Sequence, residues 1–94
     1  MFNNQRYLTK GVQVEIPLEL QLFMWGCIDK LLKERDYFQV FKFENLGGIQ
    51  KITHFSEQPA YCKEYLIPTA KPITAKVYII DSNDYSTMLL AEEY

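Results

Sequence analysis

Tyr37-Phe38-Gln39-Val40-Phe41-Lys42-Phe43-Glu44 is the stretch from which the fold can be read, because its periodicity is two, with aromatic residues at alternate positions. Alternation with a period of two marks a half-buried β-strand, whose successive side chains point to opposite faces. Asn45-Leu46-Gly47-Gly48 follows as a tight turn, and residues 49–56, with Ile49, Ile52, Thr53 and Phe55, supply a second strand. So short a loop cannot make a parallel crossover, so the pair is an antiparallel hairpin.

Downstream, Glu57-Gln58-Pro59 breaks the chain before residues 61–67, where Tyr61 and Tyr65 fit either a third strand or a short helix; the strand is the preferred reading. Pro68 and Pro72 bracket a loop. Residues 74–80 form a β-branched run suited to a central strand. Asp81-Ser82-Asn83-Asp84 turns the chain so that residues 85–90 pair back as a last strand, against the helix propensity of Met88, Leu89 and Leu90. Residues 91–94 are expected to be an exposed acidic tail.

Upstream, residues 6–14 read as a strand through Tyr7, Leu8, Thr9, Val12 and Val14, with Gly11 marking a bulge. Pro17 pre-sets the backbone for a helix start, and residues 18–35 are almost wholly helix formers, with Lys30, Lys33 and Arg35 toward the negative end of the dipole. On a helical projection Glu19, Gly26, Asp29, Lys30 and Lys33 share one narrow face, while Leu20, Phe23, Met24, Cys27, Ile28 and Leu31 fill another. Leu18, Leu22, Trp25 and Leu32 widen the apolar side to roughly twice the ~100° stripe that a helix on one sheet needs, so the surplus calls for a further cover. The expected fold is α+β, one long amphipathic helix packed on a mostly antiparallel sheet of five or six strands, in a single domain over residues 1–94.

The bulk numbers agree with one core. At 94 residues, 48% hydrophobic and carrying six Phe, seven Tyr and one Trp, the chain has a heavy aromatic load. Aromatics bury large areas, which suits a small core. Ten basic and twelve acidic residues are interspersed, giving a net charge of -2. A nucleic-acid surface needs clustered cations, so composition speaks against that partner. The first residues, Met1-Phe2-Asn3-Asn4-Gln5-Arg6, have no secretory apolar stretch, and no run is long enough to span a membrane. The expectation is a cytoplasmic protein with Cys27 and Cys62 as free thiols.

Candidate chemistry is sparse. His54 is the only histidine, so any imidazole chemistry must use it. A hairpin centred on Gln58 sets His54 opposite Cys62 on one face, a Cys/His pair; a one-residue change of register separates them. An ordinary strand histidine and a small apolar thiol account for the same residues. Cys27, in the most apolar part of the helix, reads as packing. Asp81, Asn83 and Glu92 fall at positions 1, 3 and 12 of a calcium-loop template, but Tyr85 and Ser86 take its fifth and sixth positions, where a glycine is required at the latter. A turn with Asp and Asn accepting backbone hydrogen bonds explains them instead. Gly47-Gly48 opens neither a phosphate loop nor a dinucleotide fingerprint. Carboxylate pairs such as Glu15 with Glu19, or Glu57 with Glu64, read as solvated edges. No metal or cofactor is expected.

Arg6-Tyr7-Leu8-Thr9-Lys10-Gly11, Ile16-Pro17-Leu18-Glu19-Leu20-Gln21-Leu22-Phe23-Met24-Trp25 and Ser86-Thr87-Met88-Leu89-Leu90-Ala91-Glu92-Glu93-Tyr94 together carry a resemblance. Over nearly its whole length the chain resembles the staphylococcal domain-of-unknown-function family, small proteins of staphylococci and related Gram-positive bacteria. The resemblance implies a small bacterial cytosolic domain and no activity, cofactor or catalytic residue.

Function is therefore unknown from sequence, and a protein-interaction module ranks first, with an unidentified protein or a second copy as partner. The expected surface is Leu18, Leu22, Trp25 and Leu32 on the helix, with Tyr61, Tyr65, Tyr78 and Tyr85 on a sheet face that a single helix leaves free, near Lys42, Lys51 and Lys76. A small enzyme or thiol sensor using Cys62 and His54 is one alternative. A nucleic-acid accessory protein stacking bases on the tyrosine-rich face is another.

Overall fold

The computed structural model describes residues 4–31 and 35–94. Strand β1 (Gln5–Leu8) leads into two helices, α1 (Lys10–Glu15) and α2 (Leu18–Asp29). Five strands follow: β2 (Phe38–Asn45), β3 (Ile49–Glu57), β4 (Ala60–Pro68), β5 (Ala75–Asp81) and β6 (Tyr85–Leu90). A short 3-10 turn closes the chain at Ala91–Glu93. The strands form one six-stranded sheet in the order β1-β6-β5-β2-β3-β4. All neighbours are antiparallel except β1, which runs parallel to β6.

The β2–β3 hairpin forms where alternation places it, and its turn depends on Gly47 and Gly48 at φ 69° and 89°, a region that side chains other than glycine's enter at a cost. Asn45 Oδ1 accepts the Gly47 N–H and completes the turn. β2 lies in the interior of the sheet, and the register sets Phe41 and Phe43 beside Val77 and Ala75 on one side and His54 and Ile52 on the other. Those alternate side chains meet Met24, Cys27 and Ile28 of α2, Val12 and Ile16 around α1, and Met88 and Leu90 of β6 in one dry core. This is the covered face of the sheet. The other set, with Phe38, Val40, Lys42, Phe55, Tyr78 and Tyr85, makes the open face.

The segment expected as a strand over residues 6–14 divides in two. β1 stops at Leu8, and Thr9 caps α1 by accepting the Val12 N–H at its hydroxyl. Val12 and Ile16, four residues apart, are buried, while Val14 is exposed. That is helical spacing, and it overrides the alternation of Val12 and Val14. Gly11 therefore sits in α1 and not in a strand bulge.

The expected long helix is also corrected. α2 has 12 residues and ends at Asp29, and Lys30 donates back to the carbonyls of Cys27 and Ile28. Its sides are not cleanly divided into apolar and polar: Gln21 is buried, donating to the Ile16 carbonyl at 2.8 Å, while Leu18 and Leu22 face outward. Leu32 and Lys33 of the sequence reading lie outside the described residues.

Candidate functional site

The single histidine belongs to the core. His54 has no exposed surface, lies flat on Phe41 with ring centroids 4.1 Å apart, and meets the Tyr61 ring edge-on at 4.9 Å. Its Nε2–H donates to Gln39 Oε1 at 2.7 Å, and Gln39 is oriented by donating its own amide N–H to the Asp36 carbonyl. Nδ1 has no partner. Burial lowers the pKa of the ring to about 4, because charge would be stranded away from water. At neutral pH the ring is a neutral packing element.

The β3–β4 register removes the Cys/His pair expected from a hairpin centred on Gln58. Phe55, and not His54, stands opposite Cys62, and the partner of His54 is Lys63. Gln58 and Pro59 together make the turn, which shifts the pairing by one residue. His54 points to the covered face and Cys62 to the open one. Cys62 is an exposed free thiol, while Cys27 is buried in the core with its pKa raised by burial.

The expected interaction residues divide into three groups. Tyr61 and Tyr65 share the covered face with His54 and Ile52, so they are not part of the open sheet face. Tyr65 packs edge-on to Phe23 at 5.0 Å, and burial followed by its hydrogen bond to Cys27 pushes its hydroxyl well above the ordinary tyrosine range. Tyr78 and Tyr85 do stand on the open face. On the helical side, Leu18 and Leu22 are 66% and 62% exposed. Trp25 is half-buried, with the Arg6 guanidinium 4.6 Å from its ring centre and paired in turn with Asp29.

Two apolar residues escaped the sequence reading. Val14 is 73% exposed and Leu8 is 39% exposed, and with Ile16, Pro17 and Leu18 they surround a shallow depression of about 480 Å³. A continuous strand over residues 6–14 gives no reason to single out Leu8 or Val14. Val14 could have been found by testing residues 10–16 for a spacing of four. The depression lies beside β1, which is one edge of the sheet.

The open face holds a second concavity, of about 680 Å³, bounded by Phe38, Val40, Phe55, Lys76, Tyr78 and Tyr94. Tyr94 reaches it because the expected acidic tail folds back. Glu93 accepts the Thr9 hydroxyl at 2.6 Å and the Leu90 N–H at 2.8 Å, contacts that hold its pKa below the usual carboxylate range. The Tyr94 ring then stands edge-on to both Phe38 and Tyr78, 5.5 Å from each. At the other end, Asp36 fixes the β3–β4 turn by accepting the N–H groups of Glu57 and Gln58, and it also accepts that of Phe38. Burial alone would raise its pKa, but those three donors outweigh burial and lower it.

Lys42, Lys51 and Lys76 all project from the open face, as do Glu44, Glu57 and Glu64, so cations and anions balance there. Asp81 and Asn83 serve the β5–β6 turn, Asp81 Oδ1 accepting the Asn83 N–H and the Asn4 side-chain amide. Among the described residues no three His, Cys, Asp or Glu side chains are grouped to hold a metal ion, and no helix is long and apolar enough to cross a membrane.

A family model described as "staphylococcal protein of unknown function" (DUF960) matches residues 5–93. A crystal structure of a protein of unknown function from Enterococcus faecalis is similar, with a TM-score of 0.76 and 22% identity over 97% of this chain and 91% of that one. That likeness is one of fold. No curated protein matches the chain.

Proposed function

The chain belongs to the staphylococcal family of unknown function, and for it we propose a role as a protein-interaction module that self-associates through the outer surface of α1 and α2. The supporting observation is the exposure of Leu8, Val14 and Leu18 around one depression, with exposed Leu22 one helical turn beyond Leu18. Single exposed apolar residues are ordinary on a protein surface; a contiguous group of large ones is characteristic of an interface. An apolar surface is also complementary to itself, as a two-fold interface requires, whereas a patch of one charge is not. Trp25 takes no direct part, since Arg6 covers its ring.

Sedimentation velocity from micromolar to millimolar protein tests this reading. A reversible dimer is expected, and the double variant Leu18→Glu/Leu22→Glu is expected to keep the wild-type circular dichroism spectrum while sedimenting as a monomer. A wild-type chain that is monomeric throughout that range removes self-association.

A further inference from the structure

We infer that the open face of the sheet carries a binding site for a small organic anion with an aromatic body, its charged group held by Lys76 at the mouth with Lys42 beside it, and its ring against Phe38, Tyr78 and Tyr94. The site is on the opposite side of the sheet from the α1–α2 surface and does not depend on it.

The first observation is electrostatic. Lys42 and Lys76 are directly opposite each other across β2 and β5, on the same face. Like charges in that position repel and weaken a sheet. Neither forms an ion pair among the described residues. Lys51, on the same face, is treated differently: Glu64 lies 3.2 Å from its ammonium and Glu44 stands across the strand pair. The fold thus neutralises one lysine and sets the other two side by side, an arrangement that an anion would relieve.

The second observation is shape. Lys76 forms part of the boundary of the 680 Å³ concavity, within the usual size range of small-molecule sites, and Lys42, its cross-strand neighbour, stands just outside that boundary. Its ammonium lies 5.8 Å from the centre of the Tyr78 ring. Phe38 and Tyr78 are 4.8 Å apart and tilted at 55°, and Tyr94 stands perpendicular to both. Val40 and Phe55 extend the apolar side of the lining, while Arg35, Asp36, Ser56, Glu57 and Gln58 make its polar end. Asp36 and Glu57 outnumber Arg35 at the far end and leave it net acidic, so the charged group belongs at the lysine end and the aromatic body along the rings. A long polyanion such as single-stranded nucleic acid would have to cross Glu44, Glu57 and Glu64, which is why the site suits a small anion.

The test is an amide chemical-shift titration of ¹⁵N-labelled protein with 4-hydroxyphenylacetate and, in parallel, with uncharged 4-hydroxyphenylacetamide. The acid is expected to give saturable shifts at Phe38, Val40, Phe55, Lys76 and Tyr78, and the amide to bind at least about tenfold more weakly. Lys42→Gln/Lys76→Gln, which removes a repulsive pair and so keeps the fold, is expected to bring the acid down to the level of the amide. The proposal is overturned by equal binding of acid and amide, by undiminished binding of the acid to the variant, by shifts confined to other surfaces, or by no saturable shift up to about 50 mM. Tighter binding of an oligothymidylate than of the acid would overturn it as well.

Discussion

His54 and Phe55 are neighbours in β3, yet their side chains enter different environments. His54 is wholly buried on the covered face, whereas Phe55 is half-buried in an open concavity. The same division runs along β2, where Phe41 and Phe43 are buried while Phe38 and Lys42 look out. On the covered face even the polar groups are structural. Gln50 donates its amide to the carbonyls of Glu44, Lys51 and Ile73 and accepts the Ile73 N–H, so it clips the β4–β5 connection to β3. On the open face Lys42 and Lys76 form no ion pair among the described residues. Changes on the covered face should therefore register in stability, and changes on the open face in binding.

The largest effect is expected from truncating the two faces in parallel. Phe41→Ala removes a fully buried ring that stacks on His54, and should cost about 3–5 kcal/mol. Phe55→Ala removes a ring that water already reaches, and should cost about 1–2 kcal/mol. Urea denaturation of both variants checks the contrast. Equal losses would mean that the open face is as tightly packed as the covered one.

His54 gives the comparison a pH dependence. Its folded pKa of about 4 is below the ordinary 6.5, so between those values the unfolded chain binds a proton that the folded chain refuses. Stability is then full above pH 6.5 and falls as pH drops toward 4, by about 3 kcal/mol in all. Asp36 acts in a separate window, because a lowered carboxylate pKa costs stability only on acidification below its ordinary 3.8. His54→Gln cannot titrate and keeps a donor for Gln39, so it should flatten the profile between pH 6.5 and 4 and leave the more acidic limb in place. Denaturant midpoints measured at half-unit pH intervals would show it, and an unchanged slope in the variant would assign the dependence to other groups.

How far the sequence revealed these faces depended on how local the signal was. The β2–β3 hairpin was legible because aromatic alternation and a Gly-Gly turn agree within twenty residues or so. β6 was legible from its turn despite helix-forming Met88 and Leu89, since pairing with β5 overrides propensity. α1 was not, because Val12 and Val14 imitate a strand and the capping role of Thr9 is one hydroxyl contact. The register of the hairpin at Gln58 and Pro59 was open, and with it whether His54 and Cys62 share a face, since Tyr61, Cys62 and Lys63 carry too little alternation to fix it. Buried Gln21, Gln39 and Gln50 gave no warning, because a glutamine looks like surface until its partners are known. Of the candidate surfaces, Leu18, Leu22, Tyr78 and Tyr85 can be reached from the sequence, whereas Leu8, Val14 and Tyr94 need the fold.

The smallest effect concerns the clasp that joins the two faces, from α1 on the covered side to Tyr94 on the open side. A Cβ added at Gly11 would lie 2.7 Å from the Glu93 carboxylate. That carboxylate is the end of a flexible side chain, so Gly11→Ala displaces it and breaks its hydrogen bonds to Thr9 and Leu90 rather than disrupting the backbone. In a helix the same substitution otherwise gains about 1 kcal/mol from propensity. The two effects oppose each other in the wild-type background and are separated in a double-mutant cycle. Gly11→Ala should be close to neutral on its own and stabilising by about 0.5–1 kcal/mol once Glu93→Ala has removed the obstacle. Either single variant should also loosen the Tyr94 ring from Phe38 and Tyr78, seen as a loss of the upfield ring-current shifts at those residues. If Gly11→Ala stabilises equally in both backgrounds, the Glu93 contact does not tie the tail to α1, and Tyr94 is held on the open face by its ring contacts alone.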